Sequence, residues 1–139
     1  MRRNILVLDD QMAVASSSKS VADLFTKGSH HRNLTVIYLV QNVYNQGKSK
    51  RTISINFYYC VVFRNCRDTS QFRTMAYQIY SSDGQWVVDA FTNATSKPDG
   101  YQILDYHPST PEDQTVVANI FPRDQLTYYI NSNLKVRRP

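Results

Sequence analysis

Three runs of uninterrupted apolar residues constrain the fold of this chain: "ILVL" from Ile5, "LTVIYLV" from Leu34 and "FYYCVVF" from Phe57. Apolar residues without polar alternation are typical of strands that are buried on both faces, as in a parallel sheet with helices on either side. A segment with helical spacing at 18–28 lies between the first two runs. Two more helical segments, at 70–80 and 85–96, and a fourth predicted strand, at 101–107, come after the third run. This order predicts an α/β fold with a mostly parallel sheet.

The positive charge of the chain is concentrated in its first half. The net charge is +5 over 139 residues, and residues 24–67 hold seven Lys and Arg side chains with no Asp or Glu. An excess of this kind on one segment predicts a polyanion as a partner. A solvated basic face without a ligand is the alternative.

The sequence contains neither a membrane span nor an export signal. No apolar stretch approaches the roughly 18 residues that a spanning helix needs, and the residues after Met1 do not form a signal peptide. Cys60 and Cys66 have no second Cys or His at metal-ligand spacing, so reduced thiols are expected. We therefore expect an intracellular protein that is not secreted and has no membrane partner.

One stretch imitates part of a phosphate-binding loop. Gly47, Lys48 and Ser49 would close such a loop, but the loop also needs a glycine five positions before the Gly-Lys pair, where Asn42 stands. The Lys-Ser pair must also lead directly into a helix whose N-terminus faces the anion. Here the following residues, "KRTISINFYY", are β-branched and aromatic. The segment is therefore interpreted as a basic loop between two strands.

The first apolar run ends in two acids, Asp9 and Asp10. A phospho-receiver domain would use such a pair, but it also needs an acceptor Asp after its third strand, and residues 24–67 contain no carboxylate. The run also suits a Walker B strand, in which the first acid orients magnesium-bound water and the second polarises the attacking water. Such an ATPase should show, about 25 residues later, a buried strand with a polar residue at its tip. "LTVIYLVQ" ends in Gln41.

Three segments, "ILVLDD", "SHHRNLTVIYLVQN" and "YYCVVFRNCRDTSQFRTMA", resemble the Walker B strand, the sensor strand and the next strand and helix of FtsK/HerA-type DNA translocases. The resemblance is closest to the genome-packaging ATPases of large eukaryotic DNA viruses and of Polinton/Maverick transposons. It implies that residues 1–122 are the C-terminal half of a P-loop NTPase core and that 123–139 are a tail. The core of such an ATPase is a RecA-like, three-layer sandwich of the additional-strand class. This chain is expected to form part of that sandwich and to lack the P-loop strand.

The same resemblance implies the activity and the partners. These ATPases form a homo-oligomeric ring and couple ATP hydrolysis to the translocation of double-stranded DNA into a capsid, with capsid or portal-type proteins as partners. The expected location is the nucleus or cytoplasm of a eukaryotic host, or a virion. ATP and Mg²⁺ are the implied cofactors. Carried over by position, Asp9 would hold Mg²⁺ through water, Asp10 would be the catalytic acid, and Gln41 would sense the γ-phosphate.

The resemblance also gives roles to basic residues. Arg32 is the first candidate for an arginine that acts across a subunit interface on a neighbour's nucleotide, and Arg73 is the second. An Arg at either place could equally cap a helix or pair with Asp68. The residues expected to contact DNA phosphates, without sequence preference and with strong salt dependence, are Lys48, Lys50 and Arg51.

The chain departs from the family in one respect, because the family's Walker A loop lies well upstream of Walker B, and only three residues precede the predicted Walker B strand "NILVLDD" here. Catalysis in this chemistry is mostly positioning, so we expect weak nucleotide binding and no hydrolysis by the chain alone. The strand that carries the P-loop normally lies in the middle of the sheet. Its absence predicts exposed apolar edges at 5–8 and 34–40, and poor solubility.

Two other classes of function stay open. The first is a non-catalytic nucleic-acid-binding module built on residues 24–67, whose Tyr and Phe side chains we interpret as core rather than as stacking platforms. The second is an unrelated metal-dependent enzyme that uses Asp9, Asp10 and His30 or His31. It is disfavoured because adjacent residues of a strand point to opposite faces of the sheet.

Overall fold

The computed structural model describes residues 4–9, 23–25, 33–42, 56–81 and 83–131. The chain divides into two compact units, Met1–Phe57 and Tyr58–Pro139, which we call the N-terminal unit and the C-terminal unit. The helices and strands, numbered in chain order, are β1 (Asn4–Asp9), β2 (Leu34–Leu39), β3 (Tyr59–Phe63), α1 (Ser70–Ile79), α2 (Gln85–Ala94), β4 (Tyr101–Asp105), β5 (Val116–Ala118) and β6 (Thr127–Tyr128), with a 3₁₀ turn at Glu112–Gln114.

In the N-terminal unit, β1 and β2 pair in parallel over their whole length. Their Ile, Val, Thr and Tyr side chains favour the pleated conformation. One face of this pair is packed: Leu6 and Leu8 are half-buried, and the ring centroid of Tyr38 lies 6.1 Å from that of the buried Phe25. The first two apolar runs of the sequence are therefore adjacent parallel strands.

The other face of β1 and β2 is exposed. Ile5 and Val7 are 68% and 53% exposed, and Ile37 and Leu39 are 42% and 48% exposed. The prediction that these strands are buried on both faces is therefore wrong for the described residues. Uninterrupted apolar sequence indicates which side chains favour burial, but it does not show that a second layer is present to cover them. The exposed apolar residues expected at 5–8 and 34–40 are found there, on a face of the sheet.

The C-terminal unit has two layers, a sheet of four strands with two helices on one of its faces. The strand order is β3-β4-β5-β6, and each neighbouring pair is antiparallel. The core lies between the sheet and the helices. There the rings of Phe72 on α1 and Phe91 on α2 stack with their centroids 4.0 Å apart, and Leu104 and Val116 are fully buried below them. Burial of these apolar side chains is the main term that stabilises the unit.

This antiparallel sheet corrects the prediction of a mostly parallel one. Among the described strands one pairing is parallel and three are antiparallel. The cause is the connection between β3 and β4. One crossover helix gives parallel neighbours, whereas here two helices joined by a short turn return the chain to the end where β3 stops, so Tyr101 lies opposite Phe63. The α/β class is confirmed, and the RecA-like three-layer core stays a prediction.

The two helices of this unit lie where their spacing predicts them. Asp68 accepts hydrogen bonds from the backbone N–H of Ser70 at 3.0 Å and from its hydroxyl at 2.6 Å, whereas Thr69 makes no side-chain capping bond. Asp68 therefore satisfies the first turn of α1. α2 begins directly after Gly84, where an added Cβ would lie 2.9 Å from Tyr77 of α1. The glycine thus permits the close approach of the two helices.

No helix among the described residues is long and apolar enough to cross a membrane. The described part of the predicted tail, 123–131, includes β6, which pairs with β5. These residues therefore contribute a strand to the sheet of the C-terminal unit.

Candidate functional site

Two of the predicted site residues lie at one edge of the parallel sheet. Asp9 is the last residue of β1 and lies opposite Leu39, the last residue of β2. Gln41 follows two residues after Leu39. Because the strands are parallel and in register, Asp9 and Gln41 both lie at the carboxyl edge of the pair. Both residues are exposed.

A carboxylate and a carboxamide at this edge suit the chemistry of a magnesium and phosphate site. In open α/β sheets, ligands bind outside the carboxyl ends of the strands. Mg²⁺ is usually held by one or two carboxylates together with water and substrate phosphate, so a single acid such as Asp9 is a sufficient protein ligand. The described residues of the N-terminal unit offer no phosphate cradle beside it. Among the described residues, this edge therefore offers one carboxylate and one carboxamide, which are residue types that a Mg²⁺ and phosphate site uses.

Several predicted site residues cannot be compared with the structure because they lie outside the described residues. The set includes the predicted catalytic acid, Asp10, and the first arginine candidate, Arg32. It also includes the basic residues of the loop, Lys48, Lys50 and Arg51, and the histidines of the alternative metal site, His30 and His31. Their predicted roles stay predictions.

Arg73, the second arginine candidate, lies on the exposed surface of α1. Its guanidinium donates a hydrogen bond to Oε1 of Gln85 at 3.4 Å and stands 5.6 Å from the ring centroid of Tyr77. Tyr77 donates to the same Gln85 oxygen at 3.1 Å. Asp68, the alternative partner considered for Arg73, accepts from Ser70 instead. Arg73 therefore links α1 to α2 in the structure.

Hydrogen bonding also sets the acidity of Asp68. The side chains of Ser70 and Gln71 donate to its carboxylate at 2.6 and 2.7 Å. These bonds favour the ionised form and lower the pKa of Asp68 below its usual value. The role of this acid is to start α1.

The C-terminal unit contains a cavity that sequence reasoning missed. Its volume is about 370 Å³, and it opens on the face of the sheet that carries no helix. Ile103 and Val117 are among its apolar lining residues, with Tyr59, Tyr128 and Asp105 around them. The sequence prediction interpreted Tyr59 as core, but its side chain is 59% exposed. A strand places alternate residues on opposite faces, so Tyr59, Val61 and Phe63 share one face. The uninterrupted apolar run of β3 does not indicate that this face is the exposed one.

The two cysteines are free thiols in different surroundings. Cys60 packs against the core, and this burial raises the pKa of its thiol to about 11. Cys66 is exposed. Within the described ranges, no three His, Cys, Asp or Glu side chains form a group that could hold a metal ion.

Comparison with known proteins assigns no family to the chain. No protein-family model, curated protein or solved structure matches it. The resemblance to FtsK/HerA-type ATPases therefore depends on the sequence segments quoted above, and it stays a prediction.

Proposed function

We propose that this chain supplies the Walker B and sensor part of an FtsK/HerA-type ATPase that packages double-stranded DNA into a capsid. The parallel, in-register pairing of β1 and β2 is the observation that supports this function most directly. It brings the predicted Mg²⁺ acid, Asp9, and the predicted γ-phosphate sensor, Gln41, to the same edge of one sheet. In the complete enzyme, ATP and Mg²⁺ are the cofactors, and the subunits form a ring with a capsid or portal-type partner.

The second edge of β2 also supports the proposal. Among the described strands, β2 pairs with β1 alone, so its other edge can accept a further strand. The exposed side chains of Ile37 and Leu39 suit a strand that is covered when such a sheet is complete. A P-loop strand beside the sensor strand would pair with the free edge, and the helix that follows a P-loop strand could cover the exposed face.

The test uses the complete reading frame. The coding sequence upstream of Met1 is read for a buried strand followed by Gly-x-x-x-x-Gly-Lys-Ser/Thr, and the protein it encodes is assayed for Mg²⁺-dependent ATP hydrolysis with and without double-stranded DNA. We expect Asp9→Asn to lower kcat by about 100-fold or more, since it removes an acid that acts on Mg²⁺-bound water. Gln41→Ala should lower kcat while nucleotide binding persists. Asp99→Asn, in an exposed turn, is the matched control and should leave kcat unchanged.

Two results would contradict this function. The first is an upstream frame that contains no phosphate-binding loop. The second is a complete protein that hydrolyses ATP equally well with Asp9→Asn and with the control substitution.

A non-catalytic nucleic-acid-binding module is the second candidate, and the distribution of charge favours it. Residues 1–57 hold eight Lys and Arg against three Asp, whereas residues 58–139 hold eight against eight acids, so the whole net charge of +5 belongs to the N-terminal unit. Phosphate contacts by such a unit would make DNA binding strongly dependent on salt.

The chain itself can be tested for this second function by measuring its affinity for duplex DNA at several salt concentrations. Replacing Lys48, Lys50 and Arg51 with Gln should reduce the slope of log K against log salt by about 2 to 3, since each lost phosphate contact accounts for about 0.9. The control replaces Arg73, Lys97 and Arg123, which belong to the C-terminal unit, and should leave the slope unchanged. Equal slopes for both triple variants would exclude the basic loop as the DNA contact.

A further inference from the structure

The cavity of the C-terminal unit has an apolar floor between two tyrosines. Ile103 and Val117 are cross-strand partners on β4 and β5, and their side chains are 9% and 8% exposed. Val117 is also paired with Tyr128 on β6, at the outer edge of the sheet. Tyr59 stands on β3, the other outer strand. Tyr59 is paired with Asp105, two residues along β4 from Ile103, so the five residues lie on one face of the sheet. The two rings therefore border opposite sides of this face, with Tyr59 beside the carboxylate.

Asp105 lies at one end of this cavity. One carboxylate oxygen accepts a hydrogen bond from the backbone N–H of His107 at 2.8 Å, and the other accepts from the hydroxyl of Thr110 at 3.0 Å. An ionised carboxylate offers about four acceptor positions, so two of them are left for a ligand. The two bonds also fix the orientation of the carboxylate, which lines the cavity.

The charge around the cavity favours a cation. Among the described residues no Lys or Arg forms an ion pair with Asp105. The C-terminal unit as a whole holds eight Lys and Arg against eight Asp and Glu, so its net charge does not select a ligand and the local carboxylate decides. A negative group placed at Asp105 would be repelled by the carboxylate, whereas a positive group would be attracted to it.

We propose that this cavity binds a small organic cation with a flat apolar body. Its positive group, of the amidinium type, donates hydrogen bonds to Asp105, and its ring lies on Ile103 and Val117 between Tyr59 and Tyr128. Two interactions act together: a charge-assisted hydrogen bond with fork geometry and attraction of the cation to the tyrosine rings. The ring also makes van der Waals contact with the floor, where little apolar area is left to bury. This binding function is separate from the ATPase proposed above.

The test compares three probes of the same shape on the full chain: benzamidine, which is cationic, benzamide, which is neutral, and benzoate, which is anionic. Binding is followed by amide chemical shifts in a ¹⁵N-labelled sample. Benzamidine should bind with a dissociation constant on the order of 1 mM, and the largest shifts should occur at Tyr59, Asp105 and Tyr128. Benzamide should bind at least about tenfold more weakly, because it lacks the charge-assisted bond, and benzoate should not bind.

Two variants test the carboxylate and one tyrosine ring separately. Asp105→Asn keeps the acceptor for the His107 amide and should weaken benzamidine by about tenfold or more. Tyr59→Ser removes an exposed ring and should weaken it about threefold or more. Asp113→Asn, an exposed acid of the 3₁₀ turn outside the cavity lining, is the control and should change the affinity less than twofold.

Three results would overturn the proposal. Benzamide could bind as tightly as benzamidine, which would remove the role of charge. The Asp105→Asn variant, with an unchanged amide spectrum elsewhere, could bind benzamidine as the unmodified chain does. Finally, Nα-acetyl-arginine methylamide could bind as tightly as benzamidine, which would assign the site to a peptide arginine rather than to a small molecule.

Discussion

Gln102 is a fully buried polar residue on β4. Its amide nitrogen and oxygen have no hydrogen-bond partner among the described residues, and its cross-strand partner Val62 packs against the core. A buried amide without partners costs free energy because its hydration is lost and not replaced. We expect Gln102→Met, which is close in volume and unbranched, to raise the free energy of unfolding by about 1 to 2 kcal/mol. Urea denaturation of both proteins measures this difference.

Gln125→Met, at an exposed position in the loop before β6, is the control for Gln102→Met. It changes the same chemical groups in water and should leave the urea midpoint unchanged within about 0.5 kcal/mol. A loss of stability in Gln102→Met would instead mean that the amide has a partner outside the described residues, such as a buried water.

The two thiols should differ strongly in reactivity. Burial raises the pKa of Cys60 to about 11, so at pH 8 roughly one molecule in a thousand carries the thiolate there. Cys66 is exposed. We expect iodoacetamide to modify Cys66 at least about 100-fold faster than Cys60, and the Cys60 rate to rise about tenfold for each pH unit below 11. Peptide mass spectrometry measures both rates. In urea the difference should disappear, and a persistent difference there would exclude burial as its cause.

At the scale of elements, the turn between α2 and β4 depends on Gly100. A Cβ at this position would contact the backbone carbonyl of Ala94 and lie 2.9 Å from the Cα of Thr95. Both obstacles are backbone atoms at the end of a helix, so neither can move without shifting α2. We expect Gly100→Ala to lower the free energy of unfolding by about 2 to 3 kcal/mol. Lys97→Ala, in the same exposed turn, should change it by less than about 0.5 kcal/mol, and equal effects would contradict the steric explanation.

The elements also show which parts of the structure the sequence could predict. Helical spacing was sufficient to predict α1, and the predicted parallel direction of strands is found for the first two apolar runs. The antiparallel pairing of β4 with β3 was not predicted. It depends on the two helices that lie between these strands, and the apolar run of β3 is compatible with a parallel or an antiparallel neighbour. Asp9 and Gln41 could be placed from the ends of their strands. The cavity around Asp105 could not, since it depends on cross-strand register.

At the scale of the whole molecule, each sheet leaves an apolar face uncovered by the described residues. In the N-terminal unit the side chains are those of Ile5, Val7, Ile37 and Leu39. In the C-terminal unit Val61 is 50% exposed and Phe63 is 62% exposed. Contiguous apolar patches larger than a few hundred Å² are uncommon on soluble monomers and indicate binding surfaces or aggregation. We therefore expect the face of β1 and β2 to associate with other copies when the chain is isolated.

This surface leads to a prediction about self-association of the isolated chain. We expect the chain at about 100 μM to elute as species larger than a monomer, and the double substitution Val7→Thr with Ile37→Thr to shift it toward the monomer, because threonine keeps the β-branched shape while its hydroxyl is hydrated. Light scattering coupled to gel filtration measures the mass. Ile79→Thr is the control: Ile79 is 41% exposed, lies on α1 and belongs to neither sheet face. A monomeric unmodified chain, or an equal shift with Ile79→Thr, would show that the face of β1 and β2 is not what joins the copies.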